Sequence, residues 1–131
     1  MSNQKQYWTV ERPIRAFVKG ATKTATGVVV TAEQTGPGNT IPVYGLPEAG
    51  KAIDALVFTD MPLSGDGLYD LAPVTKGVQI PLRVSGAVAV GDELAVDATG
   101  HFKKATEGQV VVAKALTSAT EADEIIQAMV K

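Results

Sequence analysis

The chain has no cysteine, one histidine and one tryptophan among its 131 residues. Without Cys no disulfide can staple the fold, and no thiolate can serve as nucleophile or metal ligand. A single histidine, His101, leaves little material for acid, base or nucleophilic catalysis, which needs several groups brought together with perturbed pKa values. Aromatics are scarce too, with three Phe and three Tyr beside the one Trp, so the core is expected to be layers of Val, Ala and Leu. No apolar run approaches the roughly 20 residues that span a bilayer, and the N-terminus lacks the apolar stretch of a signal peptide. The expectation is a protein that uses no membrane and stays in the compartment where it is made.

What is present is β-branched residues in short runs separated by turn formers. Residues 82–96, Leu-Arg-Val-Ser-Gly-Ala-Val-Ala-Val-Gly-Asp-Glu-Leu-Ala-Val, alternate with period two on either side of Gly91-Asp92 and predict a β-hairpin around which the sheet is built. Further strands are expected at residues 27–31, 41–44, 77–85, 110–115 and 120–131, with turns at residues 97–100 and 106–108 and a loop over residues 34–39. The last segment reads either as a helix capped by Thr120 and Asp123, with Ile125, Ile126 and Met129 on its inner face, or as a strand with Ile126, Ala128 and Val130 on one side, and a sheet of short segments that needs a closing partner favours the strand. Residues 68–73 read as irregular or as an edge, because Pro73 has no N–H for a ladder. Residues 46–56 predict one short helix, with Pro47 in its first turn and Ala49, Ala52, Ile53 and Leu56 on one face, although Gly50 costs it about 1 kcal/mol.

Charge is unevenly placed. Residues 1–24 carry Lys5, Arg12, Arg15, Lys19 and Lys23 against Glu11, net +4, whereas the remainder is net −6. The first stretch also holds Tyr7, Trp8, Ile14 and Phe17, interrupted by Pro13. This predicts an extended basic arm over residues 1–24 followed by a β-rich domain over residues 25–131. An arm both basic and aromatic belongs against a surface, either this chain's own sheet, as a first strand at residues 14–19, or another molecule. On the arm reading, removing residues 1–20 leaves a folded body. Tyr7, Trp8, Arg12, Ile14, Arg15, Phe17 and Lys19 are therefore the candidate contact residues. One aromatic pair ahead of an acidic body is a poor match to nucleic acid, whose single-strand binders combine several stacking platforms with a basic groove.

No motif speaks for chemistry. His101 follows the turn at Gly100 and reads as a solvated turn histidine. Asp92, Glu93 and Asp97, like Asp60, Asp66 and Asp70, lack the spacing of a calcium loop, and no glycine-rich phosphate cradle occurs. Neither cofactor nor metal is expected.

The order of motifs does carry a likeness. Residues 76–102, Lys-Gly-Val-Gln-Ile-Pro-Leu-Arg-Val-Ser-Gly-Ala-Val-Ala-Val-Gly-Asp-Glu-Leu-Ala-Val-Asp-Ala-Thr-Gly-His-Phe, and then residues 108–116, Gly-Gln-Val-Val-Val-Ala-Lys-Ala-Leu, resemble the capsid decoration, or cement, proteins of tailed bacteriophages. The resemblance covers about the C-terminal half. It implies a structural virion protein, not an enzyme, made in the host cytoplasm and bound to the outer surface of an assembled capsid. It also implies trimers at three-fold or quasi-three-fold positions, an arm on the major capsid protein, and a stabilised shell. The fold expected is a mainly β, single-domain antiparallel barrel or sandwich-like body with an extended N-terminal arm and at most one or two short helices. The competing reading is a β-rich binding or adhesion module for a glycan or a protein partner, and the absence of aromatics from residues 61–67 counts against a glycan.

Overall fold

The computed structural model describes residues 14–20, 23–58 and 67–131. Among the described residues there are ten strands and no helix, so no helix that could cross a membrane. β1 (Ile14–Val18), β2 (Gly27–Gly36), β3 (Asn39–Gly45), β4 (Ala55–Val57) and β5 (Leu68–Pro73) close into a barrel in the order β1-β3-β2-β4-β5. β6 (Gln79–Arg83), β7 (Glu93–Val96), β8 (Phe102–Lys104), β9 (Ala113–Ala115) and β10 (Ile125–Val130) form a second sheet in the order β6-β10-β9-β7-β8. A bridge between Val84 and Phe102 ties the outer strands of that sheet together. The mainly β, single-body class expected from the sequence is the class observed.

Alternation decides which side chains enter the barrel. Ala16 and Val18 of β1, Val28 of β2, Tyr44 of β3, Ala55 and Val57 of β4, and Tyr69 and Leu71 of β5 pack into one buried cluster. These are small residues apart from the two tyrosines, which suits the narrow bore that five strands leave. Burial raises the pKa of the Tyr44 hydroxyl, and the nearby Asp54 carboxylate adds to the rise. The second cluster fills the space between the two sheets. Leu56 and Ala72 of the barrel meet Leu82, Leu94, Val96, Phe102 and Ile126 of the second sheet, so the halves share a core and fold as one unit.

The seam between the halves is also hydrogen-bonded. Gly27 N–H donates to the Gly100 carbonyl at 2.8 Å and Arg83 N–H to the Ala25 carbonyl at 2.9 Å. The Arg83 guanidinium donates to the Thr24 carbonyl, the Thr24 hydroxyl and the Asp123 carbonyl at 3.0–3.1 Å. Ala25 and Asp123 both sit at positive φ here, 64° and 70°. Such backbone costs non-glycine residues of order 1–3 kcal/mol and persists only where neighbours hold it.

Several expectations need correction. The central hairpin over residues 82–96 does not form: β6 pairs with β10, while β7 pairs with β8 and β9. The turn at Gly91 and Asp92 exists, with Asp92 Oδ2 accepting from Ala89 N–H, but it redirects the chain between non-neighbouring strands. Residues 46–56 are not a helix. Gly50 is at φ +75 in a turn that the Lys51 N–H closes on the Glu48 carbonyl, its own N–H donates to the Val96 carbonyl and its carbonyl accepts from Val110 N–H, so bonds to the second half of the chain hold this segment out of a helix. The loop expected at residues 34–39 is a two-residue turn, Pro37 and Gly38, between paired strands. Residues 68–73 are no edge, since β5 lies between β1 and β4. The extended arm gives way to a barrel strand at Ile14, antiparallel to β5 and parallel to β3. Loss of residues 1–20 would therefore remove a stave of the barrel. The final segment is a strand, but only from Ile125 to Val130, with Ile126, Ala128 and Val130 buried on one face and residues 120–124 forming the loop before it.

Candidate functional site

Of the candidate contact residues, Tyr7, Trp8 and Arg12 lie outside the described residues. The other four belong to β1 and its exit. Ile14 packs against the barrel cluster, whereas Arg15 and Phe17 alternate with the buried Ala16 and Val18 and so stand on the outer face. Lys19 is exposed just beyond the strand, its backbone N–H donating to the Tyr44 carbonyl at 2.9 Å.

Register extends this face sideways. Phe17 lies opposite Leu68 of β5 and Val43 of β3, and Val43 lies opposite Ala32 of β2. Leu68, Phe17, Val43 and Ala32 thus make an apolar row across four strands on the outside of the barrel. Val43 is buried within it at 4 % exposure, Phe17 and Leu68 are half-buried, and Ala32 is exposed. Ile41, two residues before Val43 and on the same face, continues the surface beside a depression of about 490 Å³ that Val30, Glu33, Thr40 and Pro42 also line. One row along, Arg15 Nε contacts Asp70 Oδ1 at 3.3 Å, with the arginine 65 % exposed. An exposed pair of this kind is worth well under about 1 kcal/mol, so little holds the guanidinium back from another acidic group. The result is an apolar strip bracketed by Arg15 and Lys19. That chemistry suits contact with another macromolecule.

The His101 region is the other polar constellation, and it is not the solvated turn expected. His101 Nε2 lies 3.0 Å from Asp123 Oδ1, Nδ1 lies 2.9 Å from Thr99 Oγ1, and Lys23 Nζ reaches Asp123 Oδ2 at 3.3 Å. A hydroxyl, an imidazole and a carboxylate in sequence invite comparison with a nucleophilic triad. Here the Thr99 hydroxyl donates to Asp97 Oδ1 at 2.6 Å, and the same oxygen accepts from the Thr99 and His101 N–H groups. The hydroxyl is thereby committed to its own turn, and the cluster joins that turn to the loop before β10. The His101 hydrogen bond and Lys23 hold the Asp123 carboxyl below the usual carboxylate range. Among the described residues no group of three or more His, Asp or Glu is placed to hold a metal ion.

With this geometry in place, likeness to solved structures can be judged. The head fiber gp8.5 N base of bacteriophage phi29 superposes with a TM-score of 0.72 over 92 % of this chain and 93 % of that one, at 13 % identity. The fold is similar to that of a phage head fiber base. The likeness spans both halves, the β1–β5 barrel and the β6–β10 sheet, and at this identity it speaks for architecture, not for individual side chains. No family model matches the chain, and no curated protein does.

That Arg15, Phe17 and Lys19 share a face follows from their spacing of two, which is visible in the sequence. That Leu68, Val43 and Ala32 lie beside them depends on which strands pair. The parallel β1–β3 contact had no local signal.

Proposed function

We propose that this chain is a structural protein of a phage virion, not an enzyme, and that it binds the outer surface of the assembled capsid and stabilises the shell. It docks through the outer face of the barrel, as trimers at three-fold or quasi-three-fold positions, with the major capsid protein as partner. The observation that carries this reading is the apolar row centred on Phe17 between the exposed cations Arg15 and Lys19, and the sequence just before β1 adds the basic and aromatic residues Tyr7, Trp8 and Arg12. Aromatic and arginine side chains are the usual energetic centres of interfaces. The fold of a phage head fiber base adds support, as does the order of motifs in the C-terminal half. A modest contact repeated over many equivalent shell sites gives lasting attachment when copies are joined to one another.

Co-sedimentation with undecorated heads of the cognate phage tests the reading. Wild-type protein should saturate the heads, and the double variant Arg15→Glu, Lys19→Glu should bind at least tenfold more weakly, a loss of about 1.4 kcal/mol. Binding should weaken as salt rises, since exposed charges are screened. Equal saturation by the variant, or no binding by wild type, would overturn the proposal.

A further inference from the structure

The β2–β3 hairpin outgrows the barrel. Only Gly27 and Val28 of β2 pair with β4, and only Val43 and Tyr44 of β3 pair with β1, yet the two strands stay paired with each other as far as Gly36 and Asn39. A bulge between Val30 and Ala32 swings the outer part away, and residues 31–35, 37, 38 and 40 are all exposed. A two-stranded ribbon with both faces in water is marginally stable by itself, and three or more strands are needed for independent stability. This points to an added strand.

The two edges of the ribbon are not equivalent. The Val43 carbonyl faces β2, where the Thr31 hydroxyl donates to it, and the Tyr44 carbonyl faces β1, where Lys19 N–H donates to it. Strand alternation then turns Pro42 and Thr40 to the outer edge of β3, and Pro42 has no N–H to offer. That edge is blunted. On β2, Ala32 pairs inward with Val43 and Gln34 with Ile41, which leaves both N–H and both C=O groups of Glu33 and Thr35 pointing outward with no partner among the described residues. This stretch has no proline and no lysine, the residues that guard natural edges.

We propose that the outer edge of β2 is a self-association site, in which two copies pair antiparallel about Gln34. In that register Glu33 faces the partner's Thr35 and Thr35 faces the partner's Glu33, so four backbone hydrogen bonds form and every outward group of the two residues is satisfied. The ribbon's one charge meets a threonine rather than its own copy, a pairing free of the like-charge penalty. Gln34 meets the partner's Gln34 on the two-fold axis, and the two ribbons become a four-stranded sheet. The self-complementarity of the Glu33 and Thr35 pattern selects a second copy over an unrelated strand. This contact is two-fold and separate from the capsid-facing row. It stands whether or not the capsid reading holds, and on a shell it would link neighbouring three-fold groups.

The test uses the full chain in solution and exploits its lack of cysteine. Sedimentation velocity across a concentration series should show a monomer–dimer equilibrium. Thr35→Pro, which removes an outward N–H, should weaken it at least tenfold, and Thr40→Pro, on the blunted edge, should leave it unchanged. Gln34→Cys should form a disulfide-linked dimer on mild oxidation, because a non-hydrogen-bonded antiparallel pair places its Cα atoms about 4.5 Å apart, within disulfide reach. Thr40→Cys should stay monomeric under the same conditions. A chain that remains monomeric at all concentrations, a dimer indifferent to Thr35→Pro, or cross-linking of Gln34→Cys no faster than of Thr40→Cys would overturn the proposal. So would Gln34→Cys cross-linking only to capsid subunits. If Thr35→Pro fails to fold, the two cysteine variants decide.

Discussion

At Gly100 a turn of the second half lies directly against the backbone of Gly27 in the barrel, and replacing it with alanine should damage the seam more than any property of the turn would suggest. The residue sits at φ +85, so an added Cβ first incurs the left-handed cost of about 1–2 kcal/mol. That Cβ would also lie 2.7 Å from the Gly27 carbonyl oxygen and 3.3 Å from Thr26 Cβ. Neither is the far end of a flexible side chain, so the backbone at Gly27 must retreat. Retreat in turn weakens the 2.8 Å bond from Gly27 N–H to the Gly100 carbonyl and leaves a buried donor unmet, at about 1–3 kcal/mol. The total comes to roughly 2–5 kcal/mol. Gly108 is the control. It has the same φ of +85 with nothing within 4 Å of its Cβ position, so Gly108→Ala should cost only about 1–2 kcal/mol. At about 4 °C per kcal/mol for a chain of this size, thermal melts should place Gly100→Ala about 8–20 °C below wild type and Gly108→Ala about 4–8 °C below, the close approach adding about 4–12 °C. Amide exchange at Gly27 should quicken only in the Gly100 variant. Melting of the two variants within a couple of degrees of each other would refute the close-approach argument.

Other expectations follow from the same geometry. Phe102→Ala empties a fully buried site shared by both halves and should cost about 3–5 kcal/mol in urea unfolding. A chain beginning at residue 13 should keep its cooperative melt, whereas one beginning at residue 21 loses β1, opens the barrel and should show no cooperative transition by circular dichroism. The Asp123 carboxyl is held below its ordinary value of 3.8, chiefly by the His101 hydrogen bond, so its contribution is full above that value and disappears as pH falls through the lower folded one. Asp123→Asn keeps a side chain that tolerates positive φ but abolishes this titration, so its melting temperature should fall less steeply than that of wild type below about pH 4. Glu124 accepts from the Thr120 and Glu121 N–H groups and is shifted the same way, so Glu124→Gln should flatten the acid limb independently.

Local chemistry was readable in this sequence, and partnership between distant strands was not. The β-branched run after Gly27 and the Asp97–Gly100 turn closed by the Asp97 carboxylate each depend on a few neighbouring residues, and both were legible, whereas residues 120–131 fitted a capped helix as well as the strand that β6 and β9 make of Ile125–Val130. Residues 82–96 have hairpin alternation on both sides of Gly91, yet β6 finds its partner in β10, more than forty residues away. The apparent helical face of residues 46–56 was outweighed by bonds from Gly50 to Val96 and Val110, which no local pattern announces. The outer face of the barrel divides the same way. Arg15, Phe17 and Lys19 share a face by simple spacing, while Leu68, Val43 and Ala32 join them only through register.

Cryo-electron microscopy of undecorated heads incubated with the wild-type protein would show where and how the chain sits. Added density is expected on the outer capsid surface around three-fold positions, with the β1 face of each barrel, bearing Arg15, Phe17 and Lys19, turned toward the shell. Heads without added density, or copies attached through the β6–β10 sheet with that face turned to solvent, would contradict the capsid reading.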